Sequence, residues 1–432
     1  MELFKTSLLR NRTISVWGIG YLGYTTILRL QANGFFTTVS DFTGDKLQDF
    51  ANKNYPTKSQ MDNWSKSGIV QQVDISKIEI AENKNLMFKN NLHIISFPNR
   101  TSSEDYNKLA FLFLQHKKEL ENSLIIFQSV GTPKDIESSF INKLSIKNID
   151  IATIFRSDWT IEDFFAGSQK RVISSNTNIG IKKTQLFLSM LEIESIILDN
   201  IETAEVYENS KNGLTYTISA FFNQLSLAYP HINIQKVSKQ ILSNLDVQTI
   251  SLGISGVDYK SEEAIKNIFT GSKNNYLSIL KEANSTNLSF LLNYVNFLKN
   301  KDVKSVTIIG LASHGGKKDL RFSPSIILAE YLQSANISTF IYDSDFNKNE
   351  LLEILPHSKY MDIVQDGIYT DAVIVMKASN KDKFISQQHI ENNGLFNIKF
   401  ILDNTNLLNQ FKFSENTIYH QFGDNNLVKL VD

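Results

Sequence analysis

The sequence predicts an α/β protein of two doubly wound domains, joined by a long central helix and a helical middle segment. Three observations predict it. The chain opens on a strand, a glycine-rich turn, a helix and a second strand that ends in an acid. Alternation of short apolar runs with helical patterns stops near residue 200 and restarts near residue 300. Between them, Thr203–Leu225 carries its apolar and polar residues at helical spacing. The segments that follow are 1–200, 201–300 and 301–432.

In the first segment TISVW, residues 13–17, runs into GIGYLG: Gly18, Ile19, Gly20, Tyr21, Leu22 and Gly23. A helical pattern follows (Leu22, Thr26, Leu28, Leu30), then a strand from Phe35 to Ser40, then Asp41. This is the order of a Rossmann-like dinucleotide-binding unit. Gly18 permits the tight turn, Gly20 lets a pyrophosphate approach the backbone, and Gly23 lets helix and strand pack closely. The helix N-terminus meets the phosphates, and Asp41 accepts from the adenosine ribose hydroxyls. An acid here repels a 2′-phosphate, which favours NAD over NADP. The competing reading is a glycine-rich turn in some other α/β domain.

Further strands are expected at Leu92–Phe97, Ser123–Phe127, Ile149–Phe155 and Arg171–Ser174, with a helix around Tyr106–Leu120, giving a parallel doubly wound sheet. Ligands of such sheets sit at the carboxyl ends of the strands, so Pro98, Ser129 and Arg156 are expected to face the nucleotide crevice. The central helix, about 30 Å long at ~1.5 Å per residue, carries an apolar stripe (Tyr207, Leu214, Ile218, Phe221, Leu225) beside a polar one (Glu208, Asn212, Thr215, Ser219, Asn223). That suits a helix wedged between domains with a site on one side; an ordinary amphipathic helix with its polar face in water is the alternative. Helices over Asn233–Leu245 and Tyr276–Lys299 enclose a loop with Gly253, Gly256 and Gly271. Strands at Ser305–Ile309, Thr339–Tyr342 (then Asp343), Ala372–Met376 and Phe400–Leu402 (then Asp403), with a helix over Ser325–Ser334, make up the last segment.

Composition bounds the function. A chain of 432 residues has room for two or three full cores. A net charge of −1 gives no reason to expect a nucleic-acid or membrane partner. No apolar run reaches the ~18 residues of a membrane span, and MELFKTSLLRNRT has no signal-peptide core, so a soluble cytoplasmic protein is expected. Cysteine is absent, which removes disulfides, thiolate metal sites and cysteine nucleophiles together. The seven histidines are scattered without ligand spacing, so no metal site is expected.

Four segments in this order resemble the UDP-glucose/GDP-mannose dehydrogenase family, whose members oxidise nucleotide sugars with NAD. They are VWGIGYLG; FRSDWTIEDFFAGSQKRVI, with Asp163, Phe164, Arg171 and Val172 matching; AEVYENSKNGLTYTISAFFNQL, with Ala204, Glu205, Asn212 and Asn223; and VTIIGLASHGGKKDLRFSPSIILAEYL, with Gly310, Leu311, Ala312, Asp319, Leu320, Arg321, Ser323 and Pro324. The resemblance covers nearly the whole length. It implies a nucleotide-sugar-binding second domain, a homodimer, and a role in capsule, lipopolysaccharide or other surface-glycan synthesis. It assigns Arg156, Asn212, Lys260, Gly271 and Arg321 to the substrate, Arg321 reaching the sugar nucleotide of a partner subunit.

The departures fall on the chemistry. The family's cysteine forms a thiohemiacetal that permits a second oxidation; the corresponding stretch here, FTGSKNN from Phe269 to Asn275, has none. The family's helix lysine is Glu208, its two upstream glutamates fall on Thr153 and Ser157, and its Phe-Lys pair becomes Ser313-His314. Ser129 keeps a hydroxyl where the family has threonine. Without a thiolate there is no acyl-enzyme, but hydride removal from an alcohol needs only a base and a nicotinamide. The expected activity is therefore a two-electron oxidation to a ketone or aldehyde. Glu208 is the base, Asn212 one turn on orients substrate or water, and Lys211 is placed to pair with Glu208. The alternative is a non-catalytic relative that keeps the fold and the nucleotide affinity.

Overall fold

The computed structural model describes residues 2–42, 44–65, 71–97, 103–144, 148–156, 158, 160–165, 170–229, 232–245, 278–312, 320, 323–363, 365, 367–377, 398–405, 407–408 and 411–421. Their contacts divide them into two compact units, one ending at Ser210 and one beginning at Lys211.

The first unit is built on an eight-stranded sheet in the order β3-β2-β1-β4-β5-β6-β7-β8. Its strands are β1 Thr13–Trp17, β2 Phe36–Ser40, β3 Ile78–Ile80, β4 Leu92–Ile95, β5 Leu124–Phe127, β6 Asp150–Ile154, β7 Arg171–Ser175 and β8 Ser195–Ile197. Every residue of β4, β5 and β6 is buried, as parallel strands covered on both faces must be. Alternate residues feed two cores. Val16, Ile94 and Ile126 pack with Tyr24, Ile27 and Phe187 on one face. Ile95, Ile125 and Phe127 pack with Phe113 and Phe140 on the other. The first six strands follow the 3-2-1-4-5-6 order of a dinucleotide-binding sheet.

The sheet departs from the all-parallel expectation at β7, which runs antiparallel to β6 with Thr153 opposite Ser174 and Ile154 opposite Ile173. Strand direction is set by the path of the connection, here the short helix Ile161–Phe165, and leaves no trace in the apolar pattern. The consequence is local: an antiparallel strand begins where its neighbour ends. Arg171, the first residue of β7, therefore lies at the carboxyl edge of the sheet, and continuing the register places it across from Arg156.

The second unit carries a six-stranded, all-parallel sheet in the order β11-β10-β9-β12-β13-β14, again 3-2-1-4-5-6. Its strands are β9 Ser305–Ile309, β10 Ser338–Tyr342, β11 Lys359–Tyr360, β12 Ala372–Val375, β13 Phe400–Asp403 and β14 Ile418–Gln421.

The central helix runs from Ile201 to Ala228. Its burial departs from the expectation of a buried apolar stripe: only Ile218 and Leu225 of that stripe are even half-buried, whereas Tyr216, Ala220 and Phe222, outside the stripe, are buried. Tyr207, Leu214 and Phe221 are exposed at 43%, 61% and 54%, while Glu205, Glu208, Asn209, Ser219 and Asn223 are buried. The polar face is turned inward because it finds partners there. In the second unit, Asn223 Nδ2 donates to Asn287 Oδ1 (3.0 Å) and Tyr216 donates to Asn284 Oδ1 (2.8 Å), both on the helix Ser278–Asn300. A buried amide pair of this kind fixes register, because a shifted helix would strand both groups.

Candidate active site

The glycine turn after β1 is built as tightly as its sequence demands. Gly18 has φ +92°, and a Cβ on it would lie 2.6 Å from the Ser96 carbonyl oxygen. A Cβ on Gly23 would lie 1.8 Å from the Gly18 carbonyl oxygen, so no side chain fits there. Gly20 is the opposite case: the nearest atom to its Cβ position is Lys46 Nζ, at 3.9 Å. Gly20 is also the N-cap of the helix Tyr21–Ala32, with no side-chain cap. The N–H groups of the first turn are thus left for an anion, on a backbone that nothing shields. A dinucleotide pyrophosphate fits this cradle.

The surrounding residues hold the turn in place. Asp41, half-buried at the end of β2, accepts from the Ile19 N–H (2.8 Å). Ile19 is fully buried, and Tyr21 stands edge-on to Trp64 with ring centres 5.4 Å apart. Beneath them Gln128 Oε1 accepts from Ser96 Oγ (2.7 Å) and Thr26 Oγ1 (2.9 Å), while Arg156 Nη1 donates to Thr26 Oγ1 and to the Leu22 carbonyl (2.8 Å each). This buried relay ties the helix start to the ends of β4, β5 and β6. Ser129, one residue beyond Gln128, keeps a buried hydroxyl with no hydrogen-bond partner among the described residues.

Two residues that sequence reasoning missed complete the rim. Lys46 lies in the first turn of the helix Gly44–Ala51, its ammonium beside the Gly20 surface and 5.1 Å from the Tyr55 ring centre. Phe42, exposed, meets Phe97 edge-to-face at 5.0 Å and carries Lys84 Nζ over its ring at 4.7 Å. The available signal was position: a lysine and an aromatic within five residues of the acid that ends β2.

Arg156 is not at an open crevice. Its side chain is 1% exposed, paired with Asp158 and stacked on Phe164 with its Cζ 3.6 Å from the ring centre. Asp158 and Phe164 thus already engage the guanidinium that the sequence reading assigns to the substrate. Arg171 Nη2 pairs with the same aspartate at 3.1 Å. Burial alone would raise the Asp158 carboxyl, but Arg156 and Arg171 outweigh it and hold the group below the usual carboxylate range. Arg171 is itself held below its ordinary value, by burial first and then by Arg156, with Asp158 and Glu208 opposing.

The central helix docks its first half on the loop after β5. Glu205, fully buried, accepts from the N–H of Lys134 (2.8 Å) and Ile136 (3.5 Å), and Asn209 Nδ2 donates to the Gly131 carbonyl (3.0 Å). Burial pushes the Glu205 carboxyl up to about 8. Glu208, one turn on, is buried on the same face. Lys211 and Asn212 are half-buried. Pro98, Lys260, Gly271, Arg321 and the Ser313-His314 pair lie outside the described residues.

The second unit repeats the turn. Gly310, after β9, has φ +85°, and a Cβ on it would meet the Lys377 carbonyl oxygen at 2.0 Å. Asp343, after β10, accepts from the N–H of Leu311 (2.7 Å) and Ala312 (3.0 Å), as Asp41 does from Ile19. Ser323 and Ser325, at the start of the helix Pro324–Ser334, donate to the Leu311 and Gly310 carbonyls (2.6 and 2.8 Å).

Together these features define a protein of two dinucleotide-binding-type α/β units. No protein-family model and no curated protein sequence matches the chain. Solved structures share its fold over nearly its whole length. A UDP-glucose dehydrogenase from Pyrobaculum islandicum is 14% identical, with a TM-score of 0.73 over 94% of this chain and 96% of its own. A UDP-N-acetyl-mannosamine dehydrogenase from Staphylococcus aureus is 18% identical, with a TM-score of 0.69 over 97% and 100%. An NDP-N-acetyl-D-galactosaminuronic acid dehydrogenase from Methanosarcina mazei is 15% identical, with a TM-score of 0.67 over 98% of each chain. At these identities the likeness is one of fold.

Proposed function

We propose that the protein is an NAD-dependent oxidoreductase of nucleotide sugars that oxidises one alcohol to a ketone or aldehyde. The observation that carries this reading is the cradle at Gly18, Gly20 and Gly23, closed wherever backbone must pack and open only over Gly20. The shared fold with three nucleotide-sugar dehydrogenases supports the substrate class. In this reading the Gly20 surface and Lys46 hold the pyrophosphate, Asp41 turns to the ribose, and Phe42 lies against the adenine. Bound NAD supplies the hydride acceptor. The chain supplies the rest: a Glu208 carboxylate oxygen takes the hydroxyl proton, Asn212 and Ser129 orient the reacting group, and Lys260, Gly271 and Arg321 hold the nucleotide sugar. With no thiolate in the sequence an aldehyde is not captured, so oxidation stops after two electrons. The exposed stripe Tyr207, Leu214 and Phe221 supports a homodimer. A role in surface-glycan synthesis follows from the family resemblance.

A second reading, a non-catalytic nucleotide-binding subunit, is favoured by one observation. The Arg156–Asp158–Arg171 ion pairs lie in the segment in which the family resemblance places two glutamates, replaced here by Thr153 and Ser157. Absorbance at the NADH wavelength, with NAD and a panel of UDP-, GDP- and CDP-sugars, separates the readings. One NADH per sugar, with kcat lowered about 100-fold by Glu208→Gln, is expected. Two NADH per sugar would refute the two-electron limit, and ligand binding without turnover would establish the subunit.

A further inference from the structure

Arg156 is bound to the first turn of the helix that carries the anion cradle. Its Nε (3.1 Å) and Nη2 donate to Asp158, the Phe164 ring lies against its face, and Nη1 donates to the Leu22 carbonyl and to Thr26 Oγ1, 2.8 Å each. Leu22 and Thr26 are one turn apart on the helix Tyr21–Ala32, so one guanidinium nitrogen holds two successive turns. Thr26 in turn donates to Gln128 Oε1 (2.9 Å), which also accepts from Ser96 Oγ (2.7 Å). The neighbouring charged groups have partners of their own. Arg171 pairs with Asp158 at 3.1 Å, and Arg29 donates to the Leu191 and Phe165 carbonyls (2.7 and 3.3 Å). Glu162 accepts from Ser65 Oγ, and Asp163 accepts from the Thr160 N–H (3.1 Å).

The Leu22 carbonyl and the Gly23 N–H are the two ends of one peptide group, and that N–H belongs to the first turn, whose N–H groups lack acceptors within the helix. A cation at the oxygen draws electron density from the nitrogen end and makes the N–H a stronger donor to an anion. Gly23 is also the residue that admits no side chain, since a Cβ there would lie 1.8 Å from the Gly18 carbonyl oxygen. We propose that Arg156 is a positioning residue for the dinucleotide pyrophosphate: it fixes the first turn of the helix and polarises the Leu22–Gly23 peptide toward the bound anion. The arginine that the resemblance assigns to the substrate thus serves the cofactor, from behind the cradle. This deepens the proposed function and rests on its reading of the glycine turn as the pyrophosphate site. Lysine is no substitute, because a single ammonium has no planar fork with which to hold Asp158 and both helical oxygens together.

The test compares ligands with and without a diphosphate on the full chain, for the wild type, Arg156→Lys and Thr26→Val. Calorimetry with NAD and ADP should show Arg156→Lys weakening both about tenfold, the scale of one charge-assisted hydrogen bond, while an NMR titration with adenosine shows almost no change. Thr26→Val keeps the side-chain shape, deletes one of the two oxygens that Nη1 holds, and should weaken the diphosphates about threefold. It decides the question even where the lysine variant fails to fold. In turnover, KM for NAD rises in Arg156→Lys and KM for the nucleotide sugar holds. Equal losses for ADP and adenosine would reveal a general distortion of the domain, and a rise in the sugar's KM alone would place Arg156 on the substrate; either result overturns the proposal. So does an unchanged ADP affinity in both variants. A wild-type protein that binds NAD and ADP without turnover refutes the proposed reaction, while the binding comparison still decides the role of Arg156.

Discussion

Gly20 and Gly23 sit three residues apart and make opposite demands. A methyl group at residue 23 would overlap the Gly18 carbonyl, whereas one at residue 20 meets only the far end of a lysine. Gly23→Ala is therefore expected to lower the melting temperature by several degrees, since helix and turn must separate to admit it. Gly20→Ala should leave the melting temperature nearly unchanged and weaken NAD binding about tenfold by calorimetry. Equal melting losses in both variants would contradict the geometry. Glu205 supplies a second test at this scale. Its folded carboxyl is pushed up to about 8, chiefly by burial, from an ordinary value of 4.5. Folding thus favours its protonated form, a contribution present below the ordinary value and lost as pH rises through about 8. Between those limits stability falls with pH by about 1.4 kcal/mol per unit from this one group. Glu205→Gln removes that slope, so its melting temperature should change less than the wild type's between pH 5 and pH 8. An unchanged slope would mean that Glu205 folds ionised.

The elements were unevenly legible in the sequence, for physical reasons. Strands β4, β5 and β6 are buried on both faces and mostly apolar, interrupted only by His93 in β4 and by Asp150 and Thr153 in β6, and they read at once. β3, β8 and β11 have two or three residues each, too few for any period to emerge. The central helix shows the limit most clearly. Its extent was readable to within three residues, but its facing was not. Periodicity reveals that two stripes exist; it cannot say which is buried when the polar one pairs internally and the apolar one awaits another surface. Tyr207, Leu214 and Phe221 recur every seven residues, a straight seam on a helix and suited to a second copy of the same helix. Leu214→Glu with Phe221→Glu should halve the particle mass in sedimentation while leaving helical circular dichroism intact. A monomer before substitution, or a dimer after it, rules this seam out as the interface.

At the scale of the whole molecule the presence of two doubly wound units was readable, because each opens with an apolar strand, a glycine and, one strand later, an acid. The places of Lys46 and Arg171 were not, since each is reached through a path that no local pattern records: a short helix in one case, a reversed strand in the other. The two acids occupy equivalent positions, Asp41 holding the Ile19 N–H and Asp343 those of Leu311 and Ala312. Asp343 is raised above the ordinary carboxylate value by burial, against which its backbone donors pull. If each unit binds its own ligand, the cofactor on the first and the nucleotide sugar on the second, the two carboxylates control separate equilibria. A ligand raises the melting temperature only through the site it occupies. Asp41→Ala is expected to abolish the rise produced by NAD and to preserve the one produced by UDP. Asp343→Asn, which leaves one acceptor oxygen where Oδ2 now serves Leu311 and Ala312 and Oδ1 serves the Asp345 N–H, should preserve the response to NAD and cut the response to UDP. Loss of both responses in either variant would show that the two turns are not independent sites, and a UDP response removed by Asp41→Ala alone would move the nucleotide sugar to the first unit.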